Sequence, residues 1–276
     1  MLADVVGYLR CPHCGGELAL GVGVVRCSVG HSFDVARQGY VSLLPGTPRA
    51  GSGDSADMVA AREAFLPAGH YEPLGEAVVE AAEAHGDGCL LDLGAGTGWQ
   101  LARVLDALPG RFGIALDISR PALQRAARAH PRIGAVGCDI WGALPVRSHA
   151  AAFVLNVFAP RNGEEIARVM APDALLAVVT PTPRHLEELT GPLGLLSVDA
   201  RKPERLAHEL RPHLELLTSY ERGWGMTLGP AELEALVMMG PSGFHANPNE
   251  LQGRIEALPG RVETRASVSV SLWRAR

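Results

Sequence analysis

An apolar strand-like run that ends in alternating glycines, Cys89-Leu-Leu-Asp92-Leu-Gly94-Ala-Gly96-Thr97-Gly98, leaves few folds open to this chain. Glycine lets the backbone take left-handed turns and approach a ligand closely, and a loop of this kind at the carboxyl end of a strand opens a nucleotide-type site. Beyond it, apolar runs at 112–117, 133–138, 151–156 and 175–180 alternate with helical patterns at 99–108, 121–130 and 164–170. Strands with near-continuous apolar cores, separated by helices, specify a mostly parallel sheet covered on both faces. The expectation is therefore an α/β, Rossmann-like fold.

Further helices are expected at 55–66, 71–85, 203–210 and 230–239. Asp54 or Ser55 is placed to cap the first of them. The alternation of 263–273 (ETRASVSVSLW) suits an antiparallel edge strand. The stretch 45–53 (PGTPRAGSG) has linker composition, and residues 1–44 carry a cysteine cluster with short β-like runs at 22–26 and 40–44. This divides the chain into a small N-terminal unit (1–44), a linker (45–54) and a large domain (55–276).

Composition narrows the function. The chain has 276 residues, 47% of them hydrophobic, and a formal charge of −5, so it is not coated in positive charge and nucleic-acid affinity must come from a local patch. The longest apolar stretches are too short to span a bilayer, and nothing at the start reads as a signal peptide. Three of the five cysteines cluster, which fits metal ligation in a reducing cytoplasm better than disulfides.

Cys11, Cys14, Cys27 and His31 follow the spacing C-x2-C-x12-C-x3-H. Paired ligands of this kind close a Cys3His tetrahedron suited to a structural Zn2+, with no open position for a catalytic water. His13 is a rival to His31 as the fourth ligand.

The glycine loop has the form GxGxG, and Asp92 just before it places negative charge where a pyrophosphate is poorly served. A sulfonium with an amino-acid head group tolerates that charge. Asp117, ending the second strand, is placed to accept both ribose hydroxyls. Asp139, ending the third, is placed to accept an adenine amino group, with Ile140 or Trp141 along the ring. This pattern points to S-adenosylmethionine and methyl transfer rather than hydride transfer.

Several runs carry a resemblance: 27–41 (CSVGHSFDVARQGYV), 53–62 (GDSADMVAAR), 69–74 (GHYEPL), the glycine loop, 156–160 (NVFAP) and 180–186 (TPTPRHL). Together they resemble the large-subunit (23S) rRNA guanine-N1 methyltransferases across nearly the whole chain. The resemblance implies a class I methyltransferase domain with a mostly parallel seven-stranded sheet. It further implies a homodimer that methylates N1 of a guanine in a domain II hairpin of 23S rRNA. One branch of the family gives resistance to tylosin-like macrolides, and the tail 239–245 (MGPSGFH) looks more like that branch. By correspondence of motif, Tyr71, Thr97, Gly98 and His185 contact the cofactor; Thr97 stands where other members carry an acidic residue.

The reaction needs a group to take the guanine N1 proton, and no residue is singled out by sequence; Asn156, the 158–160 segment, His185 and His245 are candidates without an assigned role. Arginines 120, 125, 128 and 132, and 10, 26, 37 and 49, are candidate RNA contacts. A small-molecule methyltransferase and a non-catalytic RNA-binding relative remain the alternative readings.

Overall fold

The computed structural model describes residues 1–46, 53–82 and 88–276. Most of the 45–54 linker and the end of the helix expected over 71–85 lie outside the described residues, as does Arg49. The chain opens with α1 (Leu2–Val5) and a three-stranded antiparallel sheet of β1 (Leu18–Gly21), β2 (Val24–Cys27) and β3 (Ser32–Asp34). Val22, expected in a strand, sits in the β1–β2 turn, which Gly23 makes with a φ of +69°. A two-residue strand, β4 (Val41–Ser42), follows.

The large domain begins with α2 (Ala56–Phe65), whose N-cap Ser55 accepts the Met58 N–H at 3.2 Å. Such a cap contributes about 1 kcal/mol to the helix. After α3 (Glu72–Ala81), strands and helices alternate: β5 (Cys89–Leu93), α4 (Trp99–Ala107), β6 (Gly113–Asp117), α5 (Arg120–Ala129), β7 (Ile133–Gly137), β8 (Ala151–Val157), α6 (Gly163–Val169) and β9 (Met170–Pro181). Then come α7 (Glu187–Leu193), α8 (Lys202–Leu210), β10 (Leu214–Leu228), α9 (Pro230–Met239), α10 (Pro248–Glu256) and β11 (Val262–Ala275).

Among the described residues the strands form one sheet in the order β10-β11-β9-β8-β5-β6-β7-β4. The expected seven-stranded sheet is there, and β4 adds an eighth, short strand at one edge. Pairing is parallel from β4 to β9 and antiparallel through β11 and β10. β11 is antiparallel as expected but is not the edge: it lies between β9 and β10. The true edge, β10, went unpredicted because residues 215–219 are exposed and its alternation of inward residues, Tyr220, Trp224, Met226 and Leu228, is interrupted by the charged Arg222 and by glycines at 223 and 225.

Adjacent residues on each strand feed opposite cores. Leu90 and Ala115 pack with α3, α4, α5 and α9 on one face. Leu91, Ile114, Leu116 and Val178 pack on the other face with α6, α8 and the N-terminal Leu9, Cys11, Val25 and Leu43. The metal-binding segment therefore shares a core with the sheet. β5 is flanked by β6 on one side and β8 on the other, so chain direction across the sheet reverses there, and a ligand crevice is expected at its carboxyl end.

Candidate cofactor cleft and zinc site

The glycine loop leaves β5 with Gly94, Gly96 and Gly98 all at positive φ (+74°, +55° and +78°). Space as well as conformation demands glycine at the first: a Cβ on Gly94 would lie 2.5 Å from that of Ala159. Gly98 is pressed against α5, where a Cβ would meet Ala126 Cα at 3.2 Å. Asp117, at the end of β6, ties the loop down: one carboxylate oxygen accepts the Gly96 N–H at 2.8 Å and the other the Ser119 N–H at 2.8 Å.

Two adjoining cavities open at this switch point, with Arg62, Gly94 and Phe158 lining both. The first, about 300 Å3, is lined by Tyr71, Asp92, Thr97, His185 and Lys202 among others. The second, about 830 Å3, is lined by Asp117, Asp139, Ile140 and Trp141, with Leu43 and Leu44 from the N-terminal segment. The shared lining joins the two cavities along one side of the switch point.

The sequence-derived residues thus divide between two compartments. Gly96 and Gly98 line neither: Gly96 is held by Asp117, and Gly98 serves the packing of loop on helix. Ile140 is buried (4% exposed), whereas Trp141 is 63% exposed, so Ile140 forms the wall. Asp139 is exposed and accepts the Trp141 N–H at 3.0 Å.

Electrostatics in the first cavity are set by burial. Asp92 is pushed up to about 7 by desolvation and by repulsion from Asp117. Desolvation also raises Asp117, against the pull of the Ser119 and Gly96 amides. Burial lowers His185 to about 4, so its ring is neutral. Its Nδ1 accepts the Ser267 N–H at 3.1 Å, which puts the ring proton on Nε2, 3.3 Å from the Tyr71 hydroxyl. Burial holds that hydroxyl protonated.

Sequence reasoning missed Arg62 and Lys202 as cavity residues, and pointed to Phe158 only within the 158–160 segment. Arg62 binds Asp54 at 2.8 Å and the Met239 carbonyl at 3.0 Å, joining α2 to the end of α9. Phe158 is 44% exposed and has a φ of +54°, a strained value for a residue with a Cβ, and its ring lies 5.8 Å from that of His185. Asn156 is fully buried, with Nδ2 bonded to Pro160 O at 2.8 Å and Oδ1 unpaired among the described residues.

At the N-terminus, the donor atoms of Cys11, Cys14, Cys27 and His31 lie within 4.8 Å of one another. His31 Nδ1 is 3.5 Å from Cys11 Sγ and 3.3 Å from Cys27 Sγ, and Cys14 and Cys27 are 3.9 Å apart. A tetrahedron with Zn–S of about 2.3 Å and Zn–N of about 2.0 Å has edges of about 3.5–3.8 Å, so the donor set fits structural zinc. His13 lies outside this donor cluster and stacks on Phe33 at 5.8 Å.

The cationic runs are mostly engaged. Arg125 pairs with Glu63 at 2.6 Å, Arg120 binds the Tyr40 hydroxyl at 3.0 Å, and Arg132 caps carbonyls of Leu108 and Arg111. Arg10 binds the Leu144 carbonyl at 3.2 Å. Arg26 and Arg37 are exposed, without a protein partner among the described residues.

Sheet order, switch-point glycine loop and acidic strand ends define a class I methyltransferase, which implies S-adenosylmethionine as cofactor. A Bacillus halodurans protein described as a methyltransferase shares the fold, with a TM-score of 0.50 over 72% of this chain and 97% of its own, at 13% identity. Residues 9–49 match the family model described as "RlmA, N-terminal", a zinc ribbon. Over 99% of both chains, the sequence is 48% identical to the Streptomyces fradiae 23S rRNA (guanine(748)-N(1))-methyltransferase. It is 47% identical, again over 99% of both, to a Micromonospora griseorubida protein named as a 23S rRNA (guanine-N1)-methyltransferase. The chain belongs to the family of 23S rRNA guanine-N1 methyltransferases.

Proposed function

We propose that this chain transfers the methyl group of S-adenosylmethionine to N1 of a guanine in a domain II hairpin of 23S rRNA, the guanine(748) position named for the Streptomyces fradiae relative. Full-length identity of 48% to that enzyme, with its cofactor-type loop intact, is the observation that carries the reading. Protection against tylosin-like macrolides is the biological role that goes with it. The same reading puts the enzyme in the cytoplasm with its ribosomal substrate, acting as a homodimer that sedimentation would register.

In this reading Asp92 and the loop at Gly94–Thr97 hold the amino-acid head group, with Tyr71 and His185 beside it. Asp117 accepts the ribose hydroxyls through its remaining lone pairs, and Asp139 and Ile140 hold the adenine. Two observations support the fit: the cradle at Gly94 that a Cβ would fill, and a buried carboxylate, Asp92, with no hydrogen-bond partner among the described residues. The bound cofactor supplies an electrophilic methyl group; the protein contributes position, exclusion of water and the handling of one proton. N1 lies on the pairing edge, so the base must leave its helix to be reached. The zinc-binding unit (1–44) is the RNA-facing part in this scheme, with Arg26 and Arg37 free for phosphate.

The test is methyl transfer from labelled S-adenosylmethionine to a domain II transcript, mapped by primer-extension arrest. A stop at guanine(748) is expected. Tight cofactor binding without incorporation would favour a metabolite enzyme or an inactive relative.

A further inference from the structure

Of the 25 Lys and Arg side chains in the chain, Lys202 alone is lysine. It begins α8, is partly buried, and lines the first cavity. Five ionisable side chains line that cavity: Arg62, Tyr71, Asp92, His185 and Lys202. Four are committed to other tasks or unable to take a proton. Arg62 is a permanent cation bound to Asp54 and Met239. Tyr71 is held protonated by burial. The Nδ1 lone pair of His185 is occupied by the Ser267 N–H. Asp92 faces the cofactor head group in the proposed function.

Lys202 is different. Its amine has no hydrogen bond or ion pair among the described residues, because the nearby Asp199 carboxylate is held by Arg205 at 2.8 Å and Arg201 at 3.8 Å. Around it stand Arg205 on the same helix, Arg161 ahead of α6 (itself 3.7 Å from Glu209), and His185 after β9. Burial and then the Arg161 and Arg205 charges lower the amine from its ordinary value, with Asp199 opposing them. These surroundings favour loss of the ammonium proton, an option no arginine has.

We propose that Lys202 is the general base for methylation: its neutral Nζ accepts the N1 proton of the guanine. This rests on the reading of the substrate given above. As the N1–methyl bond forms, the sulfur–methyl bond breaks and its electron pair stays on sulfur. The N1 proton passes to Nζ, so the positive charge lost by the sulfonium reappears on the Lys202 ammonium. Net charge within the cavity does not change during the step.

The experiment exploits the single lysine. Labelling with 13C- and 15N-lysine gives one side-chain signal, whose titration midpoint is expected below the 10.5 of ordinary lysine; a midpoint at or above that value overturns the proposal. In parallel, single-turnover methylation of the transcript is followed against pH for the wild type, Lys202→Arg and Lys202→Met. The wild-type rate should rise with pH through the same midpoint. Both variants should lose about 100-fold or more in kcat, with cofactor affinity by calorimetry unchanged within about 3-fold. An active Lys202→Arg enzyme with the wild-type pH profile overturns the base and leaves the proposed function standing. A wild type inactive on the transcript overturns both.

Discussion

The carboxylate of Asp117 reaches across the glycine loop to the backbone N–H of Gly96, 2.8 Å away. The side chain assigned to the ribose is therefore also the strut that shapes the loop. Asp117→Ala should leave the Gly96 and Ser119 amides without their acceptor and cost about 1–3 kcal/mol of stability, in line with an unmet buried donor. Cofactor affinity should fall at least tenfold. Urea unfolding and isothermal calorimetry on the same preparation check both.

Gly94 and Gly110 make a matched pair. Both have positive φ, +74° and +82°, but only Gly94 is hemmed in, by Ala159 at 2.5 Å from a built Cβ, while nothing lies within 4 Å at Gly110. Gly94→Ala should abolish cofactor binding and lower stability by several kcal/mol, since a clash adds to conformational strain. Gly110→Ala should cost only about 1 kcal/mol and leave binding intact. Equal effects at the two sites would show that the crowding at Gly94 has no consequence.

Asp92 gives the apo protein a pH dependence. Its folded value is raised to about 7 from 3.8, so between those values the folded state holds a proton that the unfolded chain releases. The resulting stability is complete below about pH 4 and is lost as pH rises towards 7. Asp92→Asn should remove that component, melting higher than the wild type at pH 8 without cofactor, and binding cofactor more weakly. Melting curves from pH 4 to 8 for both proteins decide the matter.

The N-terminal site should hold one zinc per chain. Cys27→Ser removes a ligand within 3.3 Å of His31 Nδ1 and should abolish stoichiometric metal. Because metal binding carries the folding of such a segment, amide exchange should accelerate across β1 to β3. Zinc analysis and exchange mass spectrometry read the two consequences separately. Retained zinc in the variant would point to a different ligand set.

Local chemistry made much of this molecule readable in advance. The three loop glycines stand at positive φ, and β5 to β7 are buried on both faces, so their runs contain no polar interruption except at Asp92 and Asp117. Cysteine spacing picked out residues whose donor atoms the fold gathers, and the choice of His31 over His13 follows from that clustering. What stayed hidden depends on distant segments meeting. Arg62 reaches the cleft because α2 packs against α9, and Lys202 lines it from the start of α8, which packs beside α6. β10 was obscured locally: its inward residues Tyr220, Trp224, Met226 and Leu228 are separated by Arg222 and two glycines, which dilutes the period. Ile140 and Trp141 look interchangeable in sequence, and only packing shows which of them turns inward.

The short strand β4 pairs with Val136 and Gly137 of β7, and Leu43 N–H donates to the Gly137 carbonyl at 2.8 Å. Two residues further along β7's path lies Asp139, across the second cavity from Leu43 and Leu44. The ribbon is consequently not a transplantable module. Grafted onto another methyltransferase, it would bring one wall of the second cavity with it, and deleted, it would leave that cavity open on one side. Any effect of zinc occupancy on cofactor affinity is matched by an equal effect of cofactor on zinc.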